Sequence, residues 1–473
     1  MIFNSFTFVA FFWTVFLVTI LVTNFTKKPA ARNFVLLVSS YFFYGTYSPS
    51  FLLLLLYVTI LNYVAGIVLG REMQPYRKLV VSADIVLTLM PLLLFKYTGF
   101  LLTNINYAFG CHLGEDLMYK ILMPVGISFF TFQTLSYTID IYRGKIMPTH
   151  NVFDFALFVS FFPTVLSGPI ERARNLIPQI EKFTLITLDG LISGVTLFAW
   201  GVFKKMVIAD RLALYVDWAY GSADYVGGST LALAAVFYSF QIYCDFSGYS
   251  DMAVGVARAL GFDIMQNFKF PYFAHSIKEF WHRWHISLTS WFTEYVYFSL
   301  GGSRVNSRLR WAFNVSMIFL LSGIWHGAAW NFVVWGIIHA VIYLAEYKLH
   351  LQQKEENAWW KYIKTIYVFI LVSFAWVFFR VDDMDKAWNI VYRSFTDIAH
   401  PIGLGSSAFQ TAETILLFVL FLGFDYLIYK GLLLKKNGML RPCSLLNLSF
   451  LLCLLFGISL FGTSTVSFVY FQF

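Results

Sequence analysis

Apolar residues occur along this 473-residue chain in long blocks with few interruptions. A bilayer core of about 30 Å is crossed by about 20 apolar residues in a helix. Blocks that reach or approach that length are 8–22, 34–47, 51–69, 79–94, 121–139, 152–166, 191–207, 231–260, 312–344, 363–379, 415–434 and 445–460. The pattern predicts an all-α polytopic membrane protein with roughly ten to thirteen membrane segments. No linker rich in Pro, Gly or Ser and no repeat divides it, so residues 1–473 read as a single integral membrane domain.

Two stretches break the pattern. Residues 261–302 are aromatic but carry Lys269, His275, Lys278, Glu279, His282, Arg283, His285 and Glu294, too polar to face lipid. Ser276 and Glu279 form a capping box, which starts a helix at Ile277. From there Ile277, Phe280, Trp281, Trp284, Leu288, Trp291 and Phe292 recur at helical spacing, and Lys278, His282, His285 and Thr289 share the opposite face. Two readings stand: a helix lying in the membrane interface, or one inside the protein against a watery cavity. Residues 311–345 contain no Asp, Glu, Lys or Arg. One straight helix of that length would measure about 52 Å, so the segment must tilt, break or fold into two short spans.

Composition sharpens the class. Hydrophobic residues make up 59% of the chain, aromatics 20% and charged residues only 13%, against about 25% charged in soluble proteins. That excludes an ordinary soluble enzyme, a disordered chain and a fibrous one. The net charge of +8 does not point to nucleic acid, because Lys and Arg gather in short connectors with no stacking platform. Lys27, Lys28 and Arg32, then Arg71, Arg77 and Lys78, then Arg143 and Lys145 follow at two-span intervals, while the alternate connector 103–119 holds Glu115 and Asp116. The rule that basic connectors stay inside predicts an outward N-terminus. Later basic patches (Lys204, Lys205; Arg304, Arg308, Arg310; Lys430, Lys435, Lys436) are compatible with it. No basic residue precedes the first apolar block, so residues 8–23 read as a retained span.

Several side chains could carry chemistry. His326 lies near the centre of the uncharged segment with Gly323 and Gly327 beside it, and an ionisable residue at membrane depth is a functional candidate. The competing reading is a neutral histidine bonded to a carbonyl; His339 is left there. Asp245 and Asp251, six residues apart within 231–260, are costly to bury unless paired or wetted. Residues 166–174, with Gly168-Pro169 followed by Glu171 and Arg172, read equally as a site or an interfacial loop. Cys111, Cys244, Cys443 and Cys453 form no CxxC pair. His282 and His285 have helical spacing but no third ligand and no HExxH, so no metal site is assigned. No P-loop, GxGxxG or GxSxG elbow occurs.

Four strings together resemble a known family: residues 243–251 (Tyr243 to Asp251), 267–272 (Asn267 to Tyr272), 280–288 (Phe280 to Leu288) and 323–330 (Gly323 to Trp330). They are similar to the membrane-bound O-acyltransferase (MBOAT) family, in its bacterial branch of alginate O-acetylation, with the D-alanine transfer protein of teichoic acid synthesis as a cousin. The likeness runs from about Met123 to Trp335, helped by Ser167-Gly168-Pro169-Ile170 and the ending 470–473. His282 departs from relatives, which often carry arginine or another polar residue there.

The resemblance implies a ring of tilted membrane helices around a thinned central tunnel. It implies transfer of an acetyl group from cytoplasmic acetyl-CoA, a co-substrate rather than a resident cofactor, to a hydroxyl outside the membrane. The acceptor would be a polysaccharide or cell-wall glycan, reached directly or through an extracytoplasmic hydrolase-like relay protein. The setting would be the bacterial cytoplasmic membrane. The family's invariant histidine falls on His326, the general base, and its second polar position on His285. Trp325, Asp245, Ser247, Asp251, Trp284 and Asn267 are candidates for the tunnel and substrate side. Two rivals stand: a transporter or flippase using Asp245, Asp251 and His326 as a proton relay, and a scaffold for a secretion complex.

Overall fold

The computed structural model describes residues 1–47, 49–71, 74–114, 122–352, 357–432, 445–463 and 468. Glu115, Asp116, Lys435, Lys436, Cys443 and the ending 470–473 lie outside the described residues. Every regular element among the described residues is a helix. Six are long and apolar enough to cross a membrane: Phe6–Thr26, Pro49–Gly70, Arg77–Phe109, Leu188–Gly221, Ala358–Arg380 and Ala408–Tyr429. Several other apolar blocks fold into shorter helices, such as Ile127–Tyr142 and Val152–Ser160. A backbone in lipid has only its own carbonyls to bond, which is why the apolar blocks become helices.

Close packing divides the chain into two compact units, Met1–Val195 with Ala253–Met265, and Thr196–Met252 with Gln266–Phe473. In the first, Arg32 is fully buried and is not a connector charge. Its guanidinium donates to Asn33 Oδ1, Thr184 Oγ1 and the carbonyls of Gln179 and Ile180. Asn33 passes the network to Asp154 at 2.8 Å. A buried guanidinium survives only with its donors satisfied, and these contacts fix the helix Pro29–Gly45.

The loop reading of residues 166–174 is also corrected. Glu171 and Arg172 are buried. The Glu171 carboxylate accepts from the Arg172 and Met265 amides and from Asn175 Nδ2, at 2.7–3.0 Å. It is an anchor that holds the turn to residue 265.

The second unit contains residues 266–302 of the first departure from the apolar pattern and all of the second. The uncharged segment breaks rather than tilts: Arg308–His326 and Trp330–Lys348 form a helical hairpin. Its glycines set the contact. A Cβ on Gly323 would stand 2.3 Å from the Phe332 carbonyl oxygen, and one on Gly336 2.5 Å from that of Phe319. Lys204 and Lys205, read from sequence as connector cations, sit instead in a buried π-helical turn, Lys204–Ala209.

Candidate active site

The capping box forms as predicted in part. Ser276 Oγ accepts from the Glu279 amide at 3.1 Å, while Glu279 reaches back to the His275 amide rather than to that of Ser276. The continuous helix expected beyond it does not form. Ile277–Arg283 ends, and Ile286–Trp291 begins again after His285. His285 stands between them at φ 42°, ψ 53°, a left-handed conformation uncommon for a residue with a side chain.

Neighbours hold that conformation. The Asn267 carbonyl accepts from the Ile286 amide at 2.9 Å, and Asn267 Oδ1 accepts from Ser287 Oγ at 2.6 Å and from its amide at 3.3 Å. The Lys269 amide donates to the Arg283 carbonyl at 3.0 Å, so residues 267–269 run beside the break as a short rail. Asn267 therefore shapes the turn that carries His285.

His285 and His326 are 1% and 4% exposed, and both line one cavity of about 850 Å³. Trp325 stands between them, with ring centroids 6.0 Å from His285 and 5.0 Å from His326. Phe246 packs edge-on against His285 at 4.6 Å, and Trp335 and Phe379 do the same for His326 at 5.2 Å. These contacts restrain both imidazoles.

One cavity wall is a stripe of the first hairpin helix: Arg308, Trp311, Val315, Ser322 and His326. With a rise of 1.5 Å per residue, the stripe runs about 27 Å from Arg308 to His326. The facing wall carries Lys278, His282, His285 and Thr289, which the broken helix still directs to one side. His282 Nδ1 donates to the Lys278 carbonyl at 2.6 Å. Polar residues at the Arg308 end include Ser303, Asn306, Ser307 and Gln352.

Other candidates go elsewhere. Asp245, Ser247 and Asp251 do not line this cavity. Lys205 bridges Asp245 and Asp210, each at 2.7 Å, and Lys204 reaches Asp251 at 2.6 Å and Ser247 Oγ at 2.8 Å. Asp210 and Asp245 are buried and Asp251 partly so, each paired with a buried lysine, so the cluster is an ion-paired brace between helices. Trp284 is packed among Tyr243, Phe268, Phe280 and Trp376, with ring centroids 4.9–6.3 Å away. His339, left aside in the sequence, is fully buried among Trp281, Trp335 and Phe319. Sequence reasoning missed Ser322 and the direction of Arg308; their spacing of four and eighteen residues before His326 is the signal that places them on its stripe.

Within this polytopic helical protein, a partly polar cavity thus reaches two restrained histidines, a place where a group-transfer reaction could be housed. The chain belongs to the MBOAT, membrane-bound O-acyltransferase, family, whose profile matches residues 117–382. It is accordingly an acyltransferase and a multi-pass membrane protein. It is 39% identical over 372 residues to the probable alginate O-acetylase AlgI of Azotobacter vinelandii, covering 77% of this chain and 73% of that protein. It is 32% identical over 427 residues to the peptidoglycan O-acetyltransferase of Helicobacter pylori, covering 83% and 79%. To the teichoic acid D-alanyltransferase of Bacillus subtilis it is 27% identical over 279 residues, covering 55% and 69%.

Proposed function

We propose that this enzyme is an O-acetyltransferase that takes acetyl from cytoplasmic acetyl-CoA and esterifies a hydroxyl of an extracytoplasmic polysaccharide, directly or through a relay protein. The observation that carries the reading is the shared cavity of His285 and His326, with Lys278, His282 and Arg308 along its length. The cations Lys278 and Arg308 suit the phosphates of a nucleotide thioester, and the stripe from Arg308 to His326 suits its pantetheine arm.

The chemistry follows from the groups present. A thioester is already activated, whereas an alcohol is a poor nucleophile until its proton is removed. Neutral His326 accepts the hydroxyl proton as the new C–O bond forms and the C–S bond breaks; the same proton then returns to the departing thiolate. General-base help of this kind is worth about 10²–10⁴-fold. His285 faces the same space and donates to the developing oxyanion or orients the acceptor. The family relationship and the brace of Asp245 and Asp251 on Lys205 and Lys204 favour this reading over a proton-relay transporter.

The test uses purified full-length protein with labelled acetyl-CoA and short glycan acceptors. His326→Ala lowers transfer by about 10²–10⁴-fold while leaving the protein folded and donor binding within about threefold. Normal turnover in that variant would remove the base assignment.

A further inference from the structure

A second cavity, of about 270 Å³, lies between the helices Gly228–Ala259, Ala358–Arg380 and Ala408–Tyr429 and the turn Pro271–Phe273. Its wall is aromatic. The rings of Phe240, Tyr272 and Phe369 form a triangle with centroids 5.2, 5.2 and 5.6 Å apart. The Tyr272 hydroxyl donates to the Ser239 carbonyl at 2.5 Å, so this residue offers its ring rather than its oxygen.

One acid faces this cage. Asp425 is 9% exposed and lines the cavity, and among the described residues its carboxylate has no hydrogen bond and no ion pair. Lys204 acts on it only through space and is itself bound to Asp251 at 2.6 Å. Aromatic faces repel an anion and attract a cation, so neither the rings nor the apolar surroundings compensate the carboxylate. The complement is a cation. The volume is several times the roughly 30 Å³ share of a water, and too few oxygen ligands converge for a bare metal ion.

We propose that this cavity binds an alkylammonium group, supplied by the headgroup of an amine-bearing phospholipid. Its rim argues for lipid as the source. Ile366 and Leu422, both on membrane-crossing helices, are 60% and 37% exposed and border the opening with apolar surface. Just beyond the helix end, Lys430 lies over the rings of Tyr426 and Tyr429, and Tyr429 stacks on Phe273 of the cavity wall at 4.6 Å. A zwitterionic headgroup meets a carboxylate and rings at its amine, and a lysine at its phosphate.

The test uses delipidated full-length protein in detergent, offered equal phosphatidylethanolamine and phosphatidylglycerol, with bound lipid counted by native mass spectrometry. The ethanolamine lipid is retained in preference, and Asp425→Asn weakens its retention by about tenfold or more. Phe369→Leu, which thins the cage and keeps the charge, weakens it less and serves if Asp425→Asn does not fold. Equal retention of the two lipids, or retention unchanged in both variants, overturns the proposal. Stabilisation by soluble phosphoethanolamine without retention of the intact lipid overturns the lipid source and keeps the ammonium site. No acyl donor is present, so failure here leaves the acyltransferase reading untouched.

Discussion

His285 shows how much backbone work one side chain can require. A left-handed residue with a Cβ costs about 1–3 kcal/mol, and such residues persist where surrounding contacts over-determine them. Here the contacts are the Asn267 carbonyl on the Ile286 amide and its side-chain oxygen on Ser287. Under the proposed mechanism Asn267 acts through His285, as a positioning residue, rather than by touching substrate. Asn267→Ala lowers kcat by about 10²-fold, the scale of a misplacement near 1 Å, with little change in KM for the donor. Asn267→Asp keeps an acceptor oxygen and recovers a large part of the loss. If Asn267→Ala and Asn267→Asp proved equally impaired, or equally active, the positioning role would be wrong.

At the scale of elements, the hairpin of Arg308–His326 and Trp330–Lys348 delivers His326, and its two helices touch through glycine. A methyl on Gly323 meets a backbone carbonyl at 2.3 Å, which no rotamer change relieves. Gly323→Ala therefore destabilises the protein by about 1–3 kcal/mol, seen as a lower melting temperature in detergent, and shifts His326 enough to depress transfer. An unchanged melting curve with full activity would show that the helices can separate freely. This element was legible in part: 35 uncharged residues are too long for one straight, upright helix and the glycines beside His326 signal close approach, but the sequence left tilt and break both open. The break at His285 was not. Ile277 to Phe292 keeps perfect helical spacing across it, and the interruption comes from Asn267, eighteen residues earlier, by contacts that periodicity does not encode. Lys204 and Lys205 misled for a similar reason: Asp251 and Asp245 lie 47 and 40 residues on, and only packing reveals that they join Asp210 in pairing the two lysines.

For the whole molecule, the question is which compartment the Arg308 end of the cavity meets. Arg304, Arg308 and Arg310 are compatible with an inward-facing end under the rule that basic connectors stay inside, and the proposed donor, a cytoplasmic thioester, would have to enter from that side. The proposed topology and the proposed donor therefore make the same demand on this end of the cavity, and one measurement tests both. Asn306 lines that end of the cavity and is exposed, so a thiol there reports both. In a background with the native cysteines replaced, Asn306→Cys is modified by a membrane-impermeant maleimide in inverted vesicles and not in intact spheroplasts. Acetyl-CoA slows that modification severalfold at concentrations near its KM, because the thioester's phosphates occupy the passage beside Lys278 and Arg308. Labelling from the outer face would reverse the topology and leave the basic end without a nucleotide to meet. Labelling from inside with no protection by acetyl-CoA would keep the topology and remove the donor from this cavity.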